Sequence, residues 1–133
     1  MTQEEKQLLL IDLCARLPYH TIVSTGEEDL ELVKVDILNG LVYVFSESFL
    51  DFDVFEIKPY LRPMSSMTAE EKEEYIHIKQ GECNGCVLTG KGDPNTEFLL
   101  VDFFNSHHFD YRGLIEKGLA LEAPNGMYNI KGK

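Results

Sequence analysis

Ile57-Lys58-Pro59-Tyr60-Leu61-Arg62-Pro63-Met64-Ser65-Ser66-Met67-Thr68 divides this chain in two. Before it, apolar residues recur with the period of strands; after it, with that of helices. Pro59 and Pro63 have no N–H and push Lys58 and Arg62 toward extended backbone, so neither a helix nor a central strand is expected to run through. Residues 59–67 therefore read as an extended crossover, laid on a core through Tyr60, Leu61, Met64 and Met67. Thr68-Ala69-Glu70-Glu71 has capping-box spacing, in which the Thr68 hydroxyl accepts from the Glu71 N–H and the Glu71 carboxylate reaches back. A helix is expected from there to about Lys79, with Glu70, Glu71, Glu73 and Glu74 well placed at its positive N-terminal end.

On the N-terminal side, Thr2 and Glu5 repeat the capping-box spacing, and Leu9, Leu10, Leu13, Cys14 and Leu17 fall at helical intervals until Pro18 ends the run. Cys14 reads as a small buried hydrophobe. The β-patterned runs that follow are His20–Ser24, Leu30–Leu38, Leu41–Ser46 and Phe52–Ile57. Asn39-Gly40 predicts a two-residue type I′ hairpin, because both residues tolerate positive φ. Along the second run, Leu32, Lys34, Asp36 and Leu38 are set against Val33, Val35 and Ile37. Four short antiparallel strands predict a small curled sheet or open barrel packed on the first helix.

On the C-terminal side, the Gly- and Cys-rich stretch from Gly81 to Pro94 reads as a loop. Asp93-Pro94 then opens a Phe-rich helix to about Ser106, expected to form the core of the second half. Asp110 caps a turn over Tyr111–Lys117 that Gly118 ends in left-handed conformation. Leu119–Ala123 and Met127–Ile130 around Pro124-Asn125-Gly126 predict a closing hairpin. The fold class is α+β in a single domain over residues 1–133: helix plus antiparallel sheet in 1–58, crossover in 59–67, and a helical half in 68–133.

With 133 residues, 44% of them hydrophobic, a sizeable core is available. Apolar runs such as Leu8–Ile11 are far short of the roughly 20 residues of a membrane span, and Met1–Lys6 lacks signal-peptide character. Three cysteines, two of them closely spaced, do not form a secreted disulfide framework, and a cytoplasmic location is expected. The net charge of −11 and the presence of only three arginines disfavour direct contact with nucleic acid. The acidic clusters in residues 27–31, 47–56 and 70–74 keep the chain soluble, meet a basic protein partner, or imitate a nucleic-acid surface.

The segments Asp12–Tyr19 (DLCARLPY), Glu56–Thr68 (EIKPYLRPMSSMT) and His107–Pro124 (HHFDYRGLIEKGLALEAP) resemble a set of short uncharacterised proteins of anaerobic gut bacteria and their phages. The resemblance covers the start, the middle and the last quarter of the chain. It implies a mobile-element origin and a cytoplasmic location in the bacterial host and no particular chemistry; a host or phage protein is the expected partner.

Cys83-Asn84-Gly85-Cys86 is the motif with a mechanism. Two thiolates at this spacing hold half of a tetrahedral zinc site, which His77, His107 or His108 can complete; two reduced thiols or a redox pair are the other readings. His107 and His108 at a helix C-terminus also interact favourably with its dipole. Arg112, beside Asp110 and Tyr111, binds a carboxylate or phosphate, or forms an internal ion pair that pins the turn to the sheet. Gly85 and Gly90-Lys91 have phosphate-loop spacing, but Gly92 stands where the magnesium-binding hydroxyl belongs. Asp36, Asp51, Asp53 and Glu56 are spaced as on a solvated strand face, and Ser65-Ser66 has no base nearby in sequence. Catalysis is not expected. The expected role is protein–protein interaction through the acidic surface and the crossover, with Tyr60, Arg62, Tyr111 and Arg112 as contact residues; the alternative is a zinc-stabilised regulatory or ligand-binding module built on Cys83 and Cys86.

Overall fold

The computed structural model describes residues 2–45, 48–79, 96–124 and 126–128. Helix α1 is Gln3–Arg16. Its capping box is formed at both contacts: the Thr2 hydroxyl accepts from the Glu5 N–H and the Glu5 carboxylate from the Thr2 N–H, each at 3.0 Å. Leu9, Leu10 and Leu13 make its buried stripe, and Pro18 falls in the 3-10 turn Leu17–Tyr19 that follows.

The strands are β1 Ile22–Ser24, β2 Asp29–Asp36, β3 Leu41–Phe45, β4 Phe49–Asp53, β5 Lys58–Leu61 and β6 Leu121–Glu122. They form one open sheet in the order β4-β3-β2-β1-β5-β6. All neighbours are antiparallel except β5 and β6, which run parallel. The inner face carries Val23, Leu32, Val42, Val44 and Leu61 against the α1 leucines, with Val54, Ile57 and Leu114 filling the ends of the core. Helix α2 is Ala69–Lys79 and helix α3 is Thr96–Ser106. They pack together through Tyr75, Phe103 and Phe104. The fold is α+β, as its helix and strand patterns predict.

Several details differ from the sequence expectations. The first part of the expected crossover is a strand, and Met64–Ser66 turn as a 3-10 segment: Pro59 in β5 is buried and paired with Val23 of β1. On the other flank the β6 pairing starts only at Tyr60, so Pro59 leaves no ladder bond unmade there. The sheet is accordingly mixed and six-stranded. Leu121–Glu122 pairs with β5; Asn125, Asn129 and Ile130 of the expected closing hairpin lie outside the described residues, as do residues 80–95 with Cys83, Cys86 and the Asp93-Pro94 cap.

The β2–β3 connection has four residues, since Asp36 pairs with Leu41. Gly40, at φ 69°, has positive φ and Asn39 does not, so the turn is not type I′. Asp36 holds it by accepting from the N–H and side-chain amide of Asn39. A bulge at Val33 shifts the register between Leu32 and Lys34, so the expected alternation breaks there: Leu32 faces the core before it and Val35, opposite buried Val42, after it. The fourth strand starts earlier than Phe52 and ends at Asp53, where Val54–Glu56 turn as a 3-10 segment. Helix α3 buries Phe103 and Asn105 but leaves Phe98 and Val101 outside, so it is one wall of the second half and not its centre.

Candidate functional site

Two places concentrate unusual side chains. The first surrounds Phe109, on the bridge that brings the chain after α3 alongside Arg62. Arg62 donates to both Glu71 oxygens at 2.8 and 2.9 Å and to the Ser66 carbonyl at 3.0 Å, with its guanidinium 4.3 Å over the Phe109 ring. Arg16 donates to both Asp12 oxygens at 2.7 and 3.2 Å and to the Phe109 carbonyl at 2.7 Å. Arg112 donates to Asp12 at 3.0 Å and lies over the Tyr111 ring. The three arginines of the chain are thus all engaged internally.

Glu71 shows which effect wins in that pocket. Burial by itself raises its carboxyl, but the Arg62 hydrogen bonds, the Thr68 N–H cap and the charges of Arg62 and His107 together bring it down to about 2. One carboxylate caps α2, closing the Thr68 box at 2.8 Å, and neutralises a buried arginine.

Beside this cluster a cleft of about 530 Å³ opens between the end of α3, the start of β1 and residues 126–128, lined by His20, His107, His108, Arg62 and Tyr128 among others. His20 and His108, at φ 58° and 65°, are the non-glycine residues with positive φ among those described. At His108 the reason is a helix stop. The Phe109 N–H donates to the Phe104 carbonyl at 2.8 Å and the His108 N–H to the Asn105 carbonyl at 3.1 Å, a Schellman ending with histidine where glycine is usual. Phe104 and Phe109 add the accompanying apolar contact. The His108 ring stacks on Tyr128 at 3.6 Å, and its Nδ1 is buried without a hydrogen-bond partner. Burial, reinforced by the charges of Arg16, Arg62, His107 and His20, lowers His108 to about 4, so it is neutral at pH 7. Burial raises the Tyr128 phenol to about 12, and its oxygen ties β1 to β5 by accepting from the Ile22 N–H at 2.9 Å and donating to the Tyr60 carbonyl at 2.8 Å.

The expected metal ligands are placed as follows. His107 lies 3.0 Å from Glu71 through Nδ1, His108 is stacked on Tyr128, and Cys83 and Cys86 lie outside the described residues. Among the described residues no group of three or more His, Cys, Asp or Glu side chains is arranged to hold a metal ion. Of the expected contact residues, Tyr60 donates to Asp29 and Tyr111 to Asn105, while Arg62 is only 7% exposed and Arg112 pins its turn to α1, not to the sheet.

The second place is the outer face of the β2–β3–β4 meander. Registers put Leu41, Tyr43 and Phe45 of β3 opposite Asp53, Asp51 and Phe49 of β4, all on the face away from α1. Phe49 is 69% and Phe45 47% exposed, their rings 5.1 Å apart, and the Lys34 ammonium lies over Tyr43. Val33, at the bulge, adjoins them in a shallow depression with Lys34, Tyr43 and Phe49. Sequence reading missed this patch because Phe49 falls before the predicted strand; the alternation Phe49-Asp51-Asp53 is its signal.

Comparison with protein-family models, with curated proteins and with solved structures gives no match. Among the described residues no helix is long and apolar enough to cross a membrane.

Proposed function

We propose that this chain is a non-enzymatic interaction protein of the bacterial cytoplasm that offers the outer face of β2–β3–β4 to a basic protein of the host or of a phage. The observation that carries the reading is the exposed Phe45–Phe49 pair beside half-buried Tyr43, rimmed by Asp51, Asp53 and Glu31, with Lys34 over Tyr43. Exposed apolar clusters with a polar rim are characteristic of protein contact surfaces. The charge balance supports a basic partner: the net charge is −11 and the arginines are held inside. The same balance argues against a phosphate backbone as the direct ligand.

The test is affinity capture from host lysate, with and without phage infection, by the wild-type chain and by a Phe45→Ser/Phe49→Ser variant at two salt concentrations. The expected result is a near-stoichiometric partner, weakened by salt and lost with the double variant. A partner retained equally by the double variant would overturn the assignment of this face.

A further inference from the structure

The outer face ends in a strand edge whose ladder no described residue completes. Val54 donates to the Gly40 carbonyl, on the β3 side. Because backbone groups alternate along a strand, Phe52 and Leu50 also point toward β3, whereas Asp53, Asp51 and Phe49 point away from it. The Asp53 N–H is taken by the Glu56 carboxylate at 3.0 Å, which closes that end. At Asp51 and Phe49 no described residue completes the ladder, and these are the positions whose side chains lie on the proposed docking face.

Sheet edges usually carry lysine, proline or a covering segment that blocks further pairing. Strand β4, Phe-Leu-Asp-Phe-Asp, carries only aspartates. Those aspartates discriminate between occupants. A second copy paired antiparallel about Asp51 would set Asp51 against Asp51, and like charges directly opposite are destabilising; the net charge of −11 on each copy adds to that. A basic strand meets the opposite condition.

We propose that β4 takes up a short basic strand of the partner by antiparallel edge addition. Lys or Arg lies opposite Asp51 and an aromatic residue opposite Phe49, so the paired part of the partner's motif reads basic-apolar-aromatic from its N-terminus, with a further basic residue two positions earlier beside the Asp53 and Glu56 carboxylates at the closed end. The intervening apolar residues extend the inner face beside Leu50, which is 38% exposed. Main-chain bonds hold the strand and alternate side chains select it. This rests on the reading of the outer face as the docking surface.

The probe is a fluorescein-labelled peptide with the core Lys-Val-Arg-Val-Tyr, titrated against the full chain beside its scrambled form. The scrambled peptide is expected to bind about tenfold more weakly. Asp51→Asn, which keeps the N–H, should lose a few-fold. Asp51→Pro, which removes an outward N–H that β3 does not use, should lose about tenfold or more, as expected for one to two hydrogen bonds with the charge. Should Asp51→Pro fail to fold by circular dichroism, N-methylation of the peptide arginine removes the reciprocal bond of the same pair, donated to the Asp51 carbonyl, on unaltered protein, again with about a tenfold loss expected. Equal binding of the methylated and plain peptides, or of Asp51→Pro and Asp51→Asn, would overturn edge addition. The reading of the face is judged separately: it survives if Phe45→Ser/Phe49→Ser still abolishes lysate capture and falls if it does not.

Discussion

The surroundings of Phe109 and the outer face of the β3–β4 hairpin invert the common placement of side chains. Around Phe109, guanidinium and carboxylate groups are buried: Arg16 and Asp12 are 0% exposed, and Arg62 and Glu71 nearly so. On the hairpin, phenylalanines stand in solvent with aspartates between them. Buried ion pairs are individually weak sources of net stability, but breaking one leaves an uncompensated charge. They tie the segment after α3 to α1 and to β5, elements far apart in sequence. Exposed apolar side chains add little to folding and are free to serve contact. The first region holds the fold, and the second is open for use.

The sharpest way to break this contrast is at Arg62. Arg62→Met leaves Glu71 buried without its arginine, with only the Thr68 N–H and His107 beside it, and is expected to destabilise the chain by about 3 kcal/mol, read as a fall in the urea midpoint. A change below about 1 kcal/mol would mean that the ion pair does not organise the interior.

Next is pH. His108 is depressed from 6.5 to about 4, so between those values the unfolded chain binds more protons than the folded one. Its contribution is complete above pH 6.5 and is lost as pH falls toward 4, in all about 3 kcal/mol. Glu71, lowered from 4.5 to about 2, adds a second loss as pH falls through that range. His108→Asn, which tolerates the left-handed backbone and does not titrate there, is expected to flatten the first phase and leave the second, as followed by denaturation midpoints from pH 7 to 3.

Smaller is the cap: Thr68→Ala should cost about 1 kcal/mol, because the Glu71 N–H loses its acceptor. Smallest for stability are Phe45→Ser and Phe49→Ser, each expected within about 0.5 kcal/mol of wild type by urea denaturation. If either destabilised the chain by 2 kcal/mol or more, the outer face would be structural and the contrast would fail.

What could be read from the sequence was local. Both capping boxes, the ends of the helices near Arg16, Lys79 and Ser106, and the Asp110 cap with Gly118 at φ 78° depend on residues a few positions apart. Lys58–Leu61 could not be recognised as an interior strand, because its parallel partner Leu121–Glu122 comes from the far end of the chain and the prolines argue against a strand locally. The bulge at Val33 has no sequence mark, and it placed Lys34 on the outer face and Val35 on the core face, the reverse of plain alternation from Leu32. Arg62 and Arg112 were expected as contact residues, with an internal ion pair as the alternative for Arg112; whether a guanidinium faces solvent or a buried carboxylate depends on tertiary neighbours. Glu71 illustrates the limit: its cap is read from Thr68, while its ion pair needs Arg62 and His107 folded back onto α2.

The central claim, that the hairpin face and not the histidine cleft is the contact surface, is tested most directly by amide and aromatic NMR shift mapping of the labelled chain titrated with the basic peptide. The account predicts shifts centred on Tyr43, Phe45, Phe49 and Asp51, with His20, His108 and Tyr128 unmoved. Shifts centred on the cleft, with the hairpin silent, would contradict it.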